Sequence, residues 1–295
     1  MVYTSQDLAK QAETKAVRKE VLVMGFQTPY WDYPAIKPNA KTIVFLHGYR
    51  GNHKGLEAIM GALPEFHIIA PDLPGFGDSA GFTDDDYSMA NYSRWVVEFI
   101  SAMKLEDAIL LGHSFSTMMI AEAAASNQLG NNPLILLCPV SKVNQGNWAH
   151  DLFGGIIPMI ASWGEPIGRF ILSAPFFVYP MSALFAKTKD RKLRAWIHAQ
   201  HLAYFSMFAN TQVIGEGFKA GLESPVNQWA ANIKNPTLLF ITGRDWVTKY
   251  HDYQQLVREF PLAQVREFKD LGHLIHYEVP NEIADRVREF LAQAR

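Results

Sequence analysis

Residues 109–116 read ILLGHSFS, and this stretch decides how we expect the chain to fold. A short apolar run ends at Gly112, Ser114 follows, and a helix-forming stretch rich in Ala and Met comes next. Such a sequence between a strand and a helix forms a sharp turn that exposes the serine hydroxyl at the top of a sheet. Ser114 is therefore a candidate nucleophile, although it could also be only the N-cap of the helix.

Short runs of β-branched and aromatic residues that end in turn residues recur along the chain, as buried parallel strands do. Amphipathic helical stretches fall between these runs, for example at 91–104, and a last one has Ile283, Val287, Phe290 and Leu291 at helical spacing. Strands that alternate with helices imply right-handed crossovers and a mostly parallel sheet. The runs are VLVMGF, KTIVFLHG, FHIIAPD, AILLGHS, NPLILLCPV, NPTLLFITG and AQVREFKD.

The alternation is interrupted once, by an aromatic, Met-rich and helical segment. We predict that residues 140–225 form a helical cap inserted into a core made of residues 1–139 and 226–295. A cap would close an apolar pocket over the sheet, because ligand sites in open sheets lie outside the carboxyl ends of the strands. The alternative is a second helical layer that packs only on itself.

Composition excludes several classes of function. The 295 residues are 48% hydrophobic with a net charge of −2, so the chain can bury a core and has no basic excess for nucleic acid. Cys138 is the single cysteine, and we expect neither a metal nor a cofactor. Without an apolar N-terminal segment or a run of about 18 apolar residues, we expect a cytoplasmic protein with no membrane span. A homodimer stays open.

A serine hydroxyl needs a general base, usually a histidine that a carboxylate orients. On a sheet of this kind the expected chain order is Ser, then Asp or Glu, then His. Asp245 in FITGRDWV and His273 in FKDLGHLIHYEVP each follow an apolar strand, in that order. We therefore expect Ser114, Asp245 and His273 to meet at one edge of the sheet, with Asp270 as a less favoured alternative acid.

Backbone groups beside these motifs can serve as an oxyanion hole. The turn at Gly48 in FLHGYRG can offer the N–H of Tyr49, and the residue after the serine offers the N–H of Phe115. His47, His113 and His276 adjoin the motifs, and we expect each of them to make structural hydrogen bonds rather than to act in catalysis.

The motifs LHGYRG, PDLPGFGDS, LGHSFS, ITGRDWV and LGHLIHYEVP together resemble those of the α/β-hydrolase superfamily. The resemblance covers nearly all of the chain except the N-terminal tail and the insertion. It implies an eight-stranded, mostly parallel sheet with helices on both faces and a helical cap between strands six and seven. It also implies Ser114 as nucleophile, His273 as base and Asp245 as the orienting acid.

We therefore expect a carboxylesterase-like serine hydrolase that cleaves an ester of a medium-sized hydrophobic substrate through an acyl-enzyme. One alternative is a C–C bond hydrolase acting on a vinylogous diketone, for which Arg191 and Arg194 are candidate substrate ligands. Another is a ligand receptor of the same fold with slow turnover. The fold alone does not decide between them, because one fold carries many functions.

Overall fold

The computed structural model describes residues 3–142 and 148–293, and the side chains of all of these except 148–153. Residues 143–147 of the predicted insertion lie outside the described residues. The described strands form one eight-stranded sheet in the order β1-β2-β4-β3-β5-β6-β7-β8. They are β1 (Val17–Val23), β2 (Phe26–Tyr33), β3 (Thr42–Leu46), β4 (His67–Pro71), β5 (Ile109–His113), β6 (Leu134–Leu137), β7 (Thr237–Thr242) and β8 (Ala263–Phe268).

The helices alternate with the parallel strands and lie on both sides of the sheet. They are α1 (Ser5–Glu13), α2 (Glu57–Ala62), α3 (Met89–Met103), α4 (Phe115–Ala125), α5 (Trp148–Ser162), α6 (Ile167–Ser173), α7 (Pro175–Phe185), α8 (Arg191–Tyr204), α9 (Thr211–Glu223), α10 (Tyr250–Glu259), α11 (Ile275–Glu278) and α12 (Pro280–Gln293). Three short 3-10 helices cover His53–Leu56, Val226–Gln228 and Ala230–Asn232. The predicted fold class, an eight-stranded and mostly parallel α/β sheet, is confirmed.

Alternate side chains of the central strands enter two separate cores. Val44 and Leu46 of β3 pack with α3 and α4 on one face of the sheet. Ile43 and Phe45 of the same strand pack with α2 and α12 on the other face. This two-sided burial explains why the strand sequences are continuously apolar rather than alternating.

Strand β2 was not identified from the sequence, which indicated seven runs before the resemblance supplied the eighth strand. It contains Pro29 and pairs antiparallel with both β1 and β4. Proline cannot donate a ladder hydrogen bond, so its presence argues against a strand when only the sequence is read. Strand β1 also begins at Val17, four residues before the predicted run VLVMGF.

Helices α5–α9 lie between β6 and β7, and we call them the helical insertion. Helix α5 packs against α9, and Ile157 of α5 and Val213 of α9 join the core on the α3 and α4 side of the sheet. No single helix among the described residues is long and apolar enough to cross a membrane. Helices α6 and α7 reach that length and composition only as a pair, with a bend of 42° between them.

Candidate active site

Ser114 lies where β5 turns sharply into α4. Its backbone adopts φ 55° and ψ −115°, with φ in a region that residues other than glycine rarely occupy. Such a conformation costs about 1–3 kcal/mol and persists only where the surroundings enforce it. The Ser114 side chain makes no hydrogen bond that caps α4, so the N-cap alternative does not explain this residue.

Two small residues allow the turn to close. A Cβ on Gly112 would lie 2.6 Å from Cδ1 of Ile120, so no larger residue fits there without a shift. Ser116 occupies the position of the second glycine in the usual Gly-x-Ser-x-Gly motif of such turns. Its hydroxyl makes hydrogen bonds within the turn. Its Oγ accepts a hydrogen bond from the His113 N–H at 2.9 Å and donates one to the Leu46 carbonyl at 2.7 Å. Ser116 thereby ties the turn to the neighbouring strand β3.

His273 follows β8 and points to the serine. Its Nε2 lies 2.7 Å from Oγ of Ser114, and its Nδ1 lies 2.8 Å from Oδ2 of Asp245. The imidazole is 5% exposed, which shields these hydrogen bonds from water. The structure thus brings together the three side chains that the sequence placed after three different strands.

Asp245 follows β7 and is held by several donors. Its Oδ1 accepts the Val247 N–H at 2.7 Å, and its Oδ2 also accepts the Tyr253 hydroxyl at 2.6 Å. Burial alone would raise the pKa of Asp245, but the charge and hydrogen bond of His273, together with these donors, keep that pKa below its usual value. The carboxylate therefore stays ionised and orients the Nδ1–H of His273.

Neighbouring histidines fix the loops of the site. His113 Nε2 lies 3.1 Å from the carbonyl oxygen of His273, and burial with the nearby charge of His273 lowers the pKa of His113 to about 3. His47 Nε2 accepts the Leu73 N–H at 2.9 Å, so its Nδ1–H donates to the Gly48 carbonyl at 2.8 Å. The His276 ring packs 4.1 Å from that of His113, and its Nδ1 has no partner among the described residues.

Two residues beside the serine in the cavity wall have backbone N–H groups without an acceptor in the described chain. They are Tyr49, after β3, and Phe115, at the first turn of α4. Both residues line the cavity that contains Ser114 and His273. Free N–H groups beside a nucleophile are suitably placed for a developing oxyanion.

The cavity above Ser114 has a volume of about 210 Å³ and is mainly apolar. The core and the helical insertion both contribute to its wall, including the side chains of Phe115, Met118, Met181, Phe185, Phe205 and Phe218. A wider depression of about 940 Å³ lies near Thr42 and Ile109, at the amino ends of the strands, away from all the predicted site residues. The candidate catalytic side chains and the apolar cavity therefore share the carboxyl edge of the sheet.

Comparison with known proteins agrees with this geometry. Residues 43–286 match the model of a family described as the alpha/beta hydrolase family. The chain belongs to the alpha/beta hydrolase family. It is therefore a hydrolase of that family, as the resemblance of its motifs implied.

Relatives of this alpha/beta hydrolase include lipases and esterases. It is 24% identical to Lipase 1 of Psychrobacter immobilis over 84% of this chain and 76% of that protein. It is 33% identical to a putative esterase/lipase 3 of Mycoplasma pneumoniae over 39% of this chain, and the match spans only 42% of that relative. The solved structure of the enol-lactonase from Burkholderia xenovorans LB400 superposes with a TM-score of 0.76 at 17% identity, covering 93% of this chain and all (100%) of that one.

Other candidates in this alpha/beta hydrolase lie away from the chemistry. The Asp270 side chain is 87% exposed and pairs with Arg244, so it does not replace Asp245. Arg191 and Arg194 do not line the cavity in the described part of the chain.

Cys138 Sγ, Asp245 and His273 lie within 4.8 Å of one another, a spacing that could hold a metal ion. Burial raises the pKa of the Cys138 thiol, which disfavours the thiolate that a metal requires.

Sequence reasoning missed a buried arginine that joins the insertion to the core. Arg50 is 1% exposed, and its guanidinium donates to the Leu172 carbonyl at 2.7 Å and the Phe205 carbonyl at 2.8 Å. Burial lowers the pKa of Arg50 to about 10. The neighbouring Tyr49 hydroxyl donates to the Ile214 carbonyl at 2.6 Å. The loop that carries the Tyr49 N–H is therefore also the loop that anchors the insertion.

Tyr253 was also missed, because it lies in α10, an ordinary amphipathic helix with no motif. The hydrogen bond from its hydroxyl to Asp245 became visible only when β7 and α10 were placed together. Burial and the charge of Asp245 raise the pKa of Tyr253 well above its usual value, so the hydroxyl remains a donor.

Proposed function

We propose that this protein is a serine hydrolase that cleaves esters of medium-sized hydrophobic substrates through an acyl-enzyme. The observation that supports this proposal is the continuous chain of hydrogen bonds from Ser114 Oγ through His273 to Asp245, which opens into an apolar cavity. The helical insertion acts as the cap of that cavity.

In the first half of the reaction, Ser114 Oγ attacks the ester carbonyl carbon while His273 Nε2 takes the hydroxyl proton. The carbonyl oxygen becomes an oxyanion that accepts hydrogen bonds from the Tyr49 and Phe115 N–H groups. When the tetrahedral intermediate collapses, the C–O bond to the alcohol breaks and His273 returns its proton to the alkoxide. The acyl group stays on Ser114.

In the second half, a water molecule attacks the acyl carbon while His273 Nε2 accepts one of its protons. Collapse of this second intermediate breaks the bond to Ser114 Oγ, and His273 gives the proton back to that oxygen. Throughout both halves Asp245 holds the Nδ1–H of His273 and stabilises the imidazolium without taking its proton.

The apolar cavity supports a hydrophobic acyl or alcohol group, because pockets of this kind bind by burying apolar surface around a few polar anchors. Among the described residues that line the cavity, Arg50 is the one arginine, and there is no lysine. Its Nε and Nη2 donate to backbone carbonyls of the insertion, whereas its buried Nη1 has no hydrogen-bond partner among the described residues.

The test is hydrolysis of p-nitrophenyl esters from acetate to laurate, with the wild type compared to Ser114→Ala. Ser126→Ala, at the other end of α4, is the matched control. We expect a chain-length optimum in the wild type and the control, and a loss of several powers of ten in turnover in Ser114→Ala.

Labelling of Ser114 by a fluorophosphonate separates the alternatives. A labelled protein that cleaves a vinylogous diketone but no ester would overturn ester hydrolysis in favour of C–C hydrolysis. Labelling together with slow, single-turnover cleavage would support the alternative that the protein is a ligand receptor of this fold. A protein that neither hydrolyses esters nor takes the label has no working nucleophile at Ser114.

A further inference from the structure

Three consecutive helices of the insertion expose large apolar side chains. Each helix region contributes two of them, three or four residues apart, so that each pair lies on one side of its helix. We call these six residues the apolar face: Met159 (48% exposed), Trp163 (50%), Ile167 (58%), Phe170 (72%), Phe176 (66%) and Tyr179 (49%).

The opposite sides of the same helices are buried. Gly168 and Leu172 of α6, and Val178 and Met181 of α7, pack inward. Helix α6 packs against both α5 and α7, so the three helix regions that carry the apolar face are neighbours. The exposed side of α7 carries no charged residue at all, since its sequence is PFFVYPMSALF. Folding therefore leaves much of each of these six side chains exposed, although the Tyr179 ring also packs 4.9 Å from that of His198.

A basic segment follows directly after α7. Residues 187–194 read KTKDRKLR, with five basic residues and one acid in a chain whose net charge is −2. Asp190 uses its carboxylate to cap α8 through the Lys192 and Leu193 N–H groups. Within the described residues none of these five basic side chains pairs with a carboxylate. The charge of the basic segment is thus available to an outside partner.

We propose that the apolar face and the basic segment dock this protein on the surface of an anionic lipid bilayer. Aromatic side chains such as Trp163 and Tyr179 favour the boundary between water and lipid. Apolar residues that enter this boundary beside lysine and arginine are the pattern of a helix that lies in the membrane surface. Juxtaposed basic residues add attraction to anionic headgroups. The buried inner sides of α6 and α7 keep the two helices lying on the surface rather than crossing it.

A second copy of this chain fits the same face less well. Pairing two apolar faces would bring two basic segments into one assembly, and no unpaired acidic cluster of the described chain adjoins the apolar face to balance them. Glu165, the carboxylate beside Trp163, is already paired with Arg169. Charge complementarity therefore favours anionic lipid over self-association.

Helix α7 connects the apolar face to the active site. Phe176 is mostly exposed and Tyr179 is half exposed, whereas Met181 and Phe185 line the cavity above Ser114. Docking through α7 places the cavity next to the lipid, so a lipid-borne ester would reach it without crossing water. This last step rests on the proposed function, whereas the docking itself does not.

The experiment is flotation with phosphatidylcholine vesicles that do or do not contain about one quarter phosphatidylglycerol. Phe170→Ser/Phe176→Ser removes the two most exposed rings of the apolar face, and Leu22→Ser/Leu262→Ser changes two other exposed apolar residues, 59% and 58% exposed, as the control. We expect the first pair to lower the partition coefficient at least about 10-fold and the control pair to leave it unchanged.

A charge series completes the test. Lys189→Gln/Arg191→Gln/Lys192→Gln should weaken binding to the anionic vesicles about 100-fold at low salt and remove the dependence on phosphatidylglycerol. Lys15→Gln/Lys37→Gln/Lys234→Gln, three exposed lysines elsewhere, should bind as the wild type does. The proposal is overturned if the wild type does not float with anionic vesicles, or if Phe170→Ser/Phe176→Ser floats equally well. It is also overturned if light scattering shows a dimer that this double variant dissociates.

Binding to vesicles and ester hydrolysis are measured separately. Flotation of Ser114→Ala should equal that of the wild type whether or not the serine is catalytic. If the hydrolase proposal holds, Phe170→Ser/Phe176→Ser should keep its activity on dissolved p-nitrophenyl butyrate and lose it on a long-chain ester held in anionic vesicles. Loss of both activities would indicate misfolding, which a thermal melt would reveal, and would leave flotation by the charge series as the deciding result.

Discussion

The carboxyl edge of the sheet and the helical insertion differ in how far hydrogen bonds and packing hold their side chains in place. At the sheet edge, hydrogen bonds join the side chains of Ser114, His273 and Asp245, and Asp245 alone accepts from His273, Tyr253 and Val247. The insertion exposes aromatic rings and contains prolines and glycines inside its helices. A rigid edge suits chemistry, which requires fixed distances, and a less constrained insertion suits the choice of substrate and surface.

If this division is correct, changes at the sheet edge should lower turnover on every substrate. Changes in the insertion should instead alter which substrate is used. The predictions below test the division, from the largest expected effect to the smallest.

The largest effect should come from Asp245→Asn. The amide cannot hold the Nδ1–H tautomer of His273 or stabilise the imidazolium, so we expect kcat to fall about 10⁴-fold on short and long esters alike. Steady-state kinetics across the ester series measures this loss. Asp270→Asn is the matched control, since Asp270 lies in the next loop and contacts Arg244 instead. A comparable loss in Asp270→Asn would contradict the assignment of the acid.

The sequence was sufficient to predict that Ser114, Asp245 and His273 lie close together, and the reason is physical. Parallel strands end at one edge of the sheet, so residues directly after three apolar runs must meet there. The same reasoning fails for Tyr253, because a residue inside a helix approaches Asp245 only through packing. It fails for β2 as well, where Pro29 hides a strand whose hydrogen bonds run to β1 and β4.

The sequence predicted that the insertion is helical, but it did not predict which of its side chains face the cavity and which face solvent. Its apolar residues are so frequent that no 3.6-residue periodicity separates the side facing Ser114 from the side facing solvent. Phe176 and Phe185 look alike in the sequence, yet one is 66% exposed and the other lines the cavity. The role of Arg50 in joining the insertion to the core was likewise hidden, because it depends on the positions of the carbonyls at the ends of α6 and α8.

The next effect should appear in stability at the elbow. Ser116→Ala removes one acceptor and one donor that join the His113 N–H and the Leu46 carbonyl. Because both groups are buried, we expect the free energy of unfolding to fall by about 1–3 kcal/mol. Urea denaturation measures this change, with Ser101→Ala on the exposed side of α3 as the control. An unchanged midpoint would show that the turn does not need the Ser116 hydroxyl.

A pH effect of similar size should come from the insertion. Burial, together with nearby His198, lowers the pKa of His201 to about 3, while the unfolded chain keeps a value near 6.5. Below pH 6.5 the unfolded state therefore binds a proton that the folded state does not, so stability falls as the pH is lowered toward 3. This single group should account for about 2 kcal/mol between pH 7 and pH 5.

His201→Asn should remove that part of the acid sensitivity. The measurement is the difference in unfolding free energy between pH 7 and pH 5, which is independent of any constant change that the substitution causes. His251→Asn is the control, because the side chain of His251 is 72% exposed. An equal acid sensitivity in wild type and His201→Asn would mean that His201 becomes protonated in the folded protein.

The smallest effect should come from glycines of α9 and should concern only substrate size. Gly217 and Gly221 line the cavity, and a Cβ on either would lie 3.5 Å from an aromatic ring, that of Tyr49 or that of Phe115. At this ordinary contact distance alanine fits without strain and occupies cavity volume. Replacing a helical glycine by alanine also stabilises the helix by up to about 1 kcal/mol.

Gly221→Ala should therefore raise the melting temperature and move the chain-length optimum toward shorter esters. We expect the ratio of kcat/KM between the longest good substrate and butyrate to fall about 10-fold, because one methylene group in a pocket is worth about that much. Gly155→Ala, at an open position of α5, should give the stability without the shift in chain length. An unchanged optimum in Gly221→Ala would mean that the substrate chain does not run along α9, and that substrate choice is made by another part of the insertion.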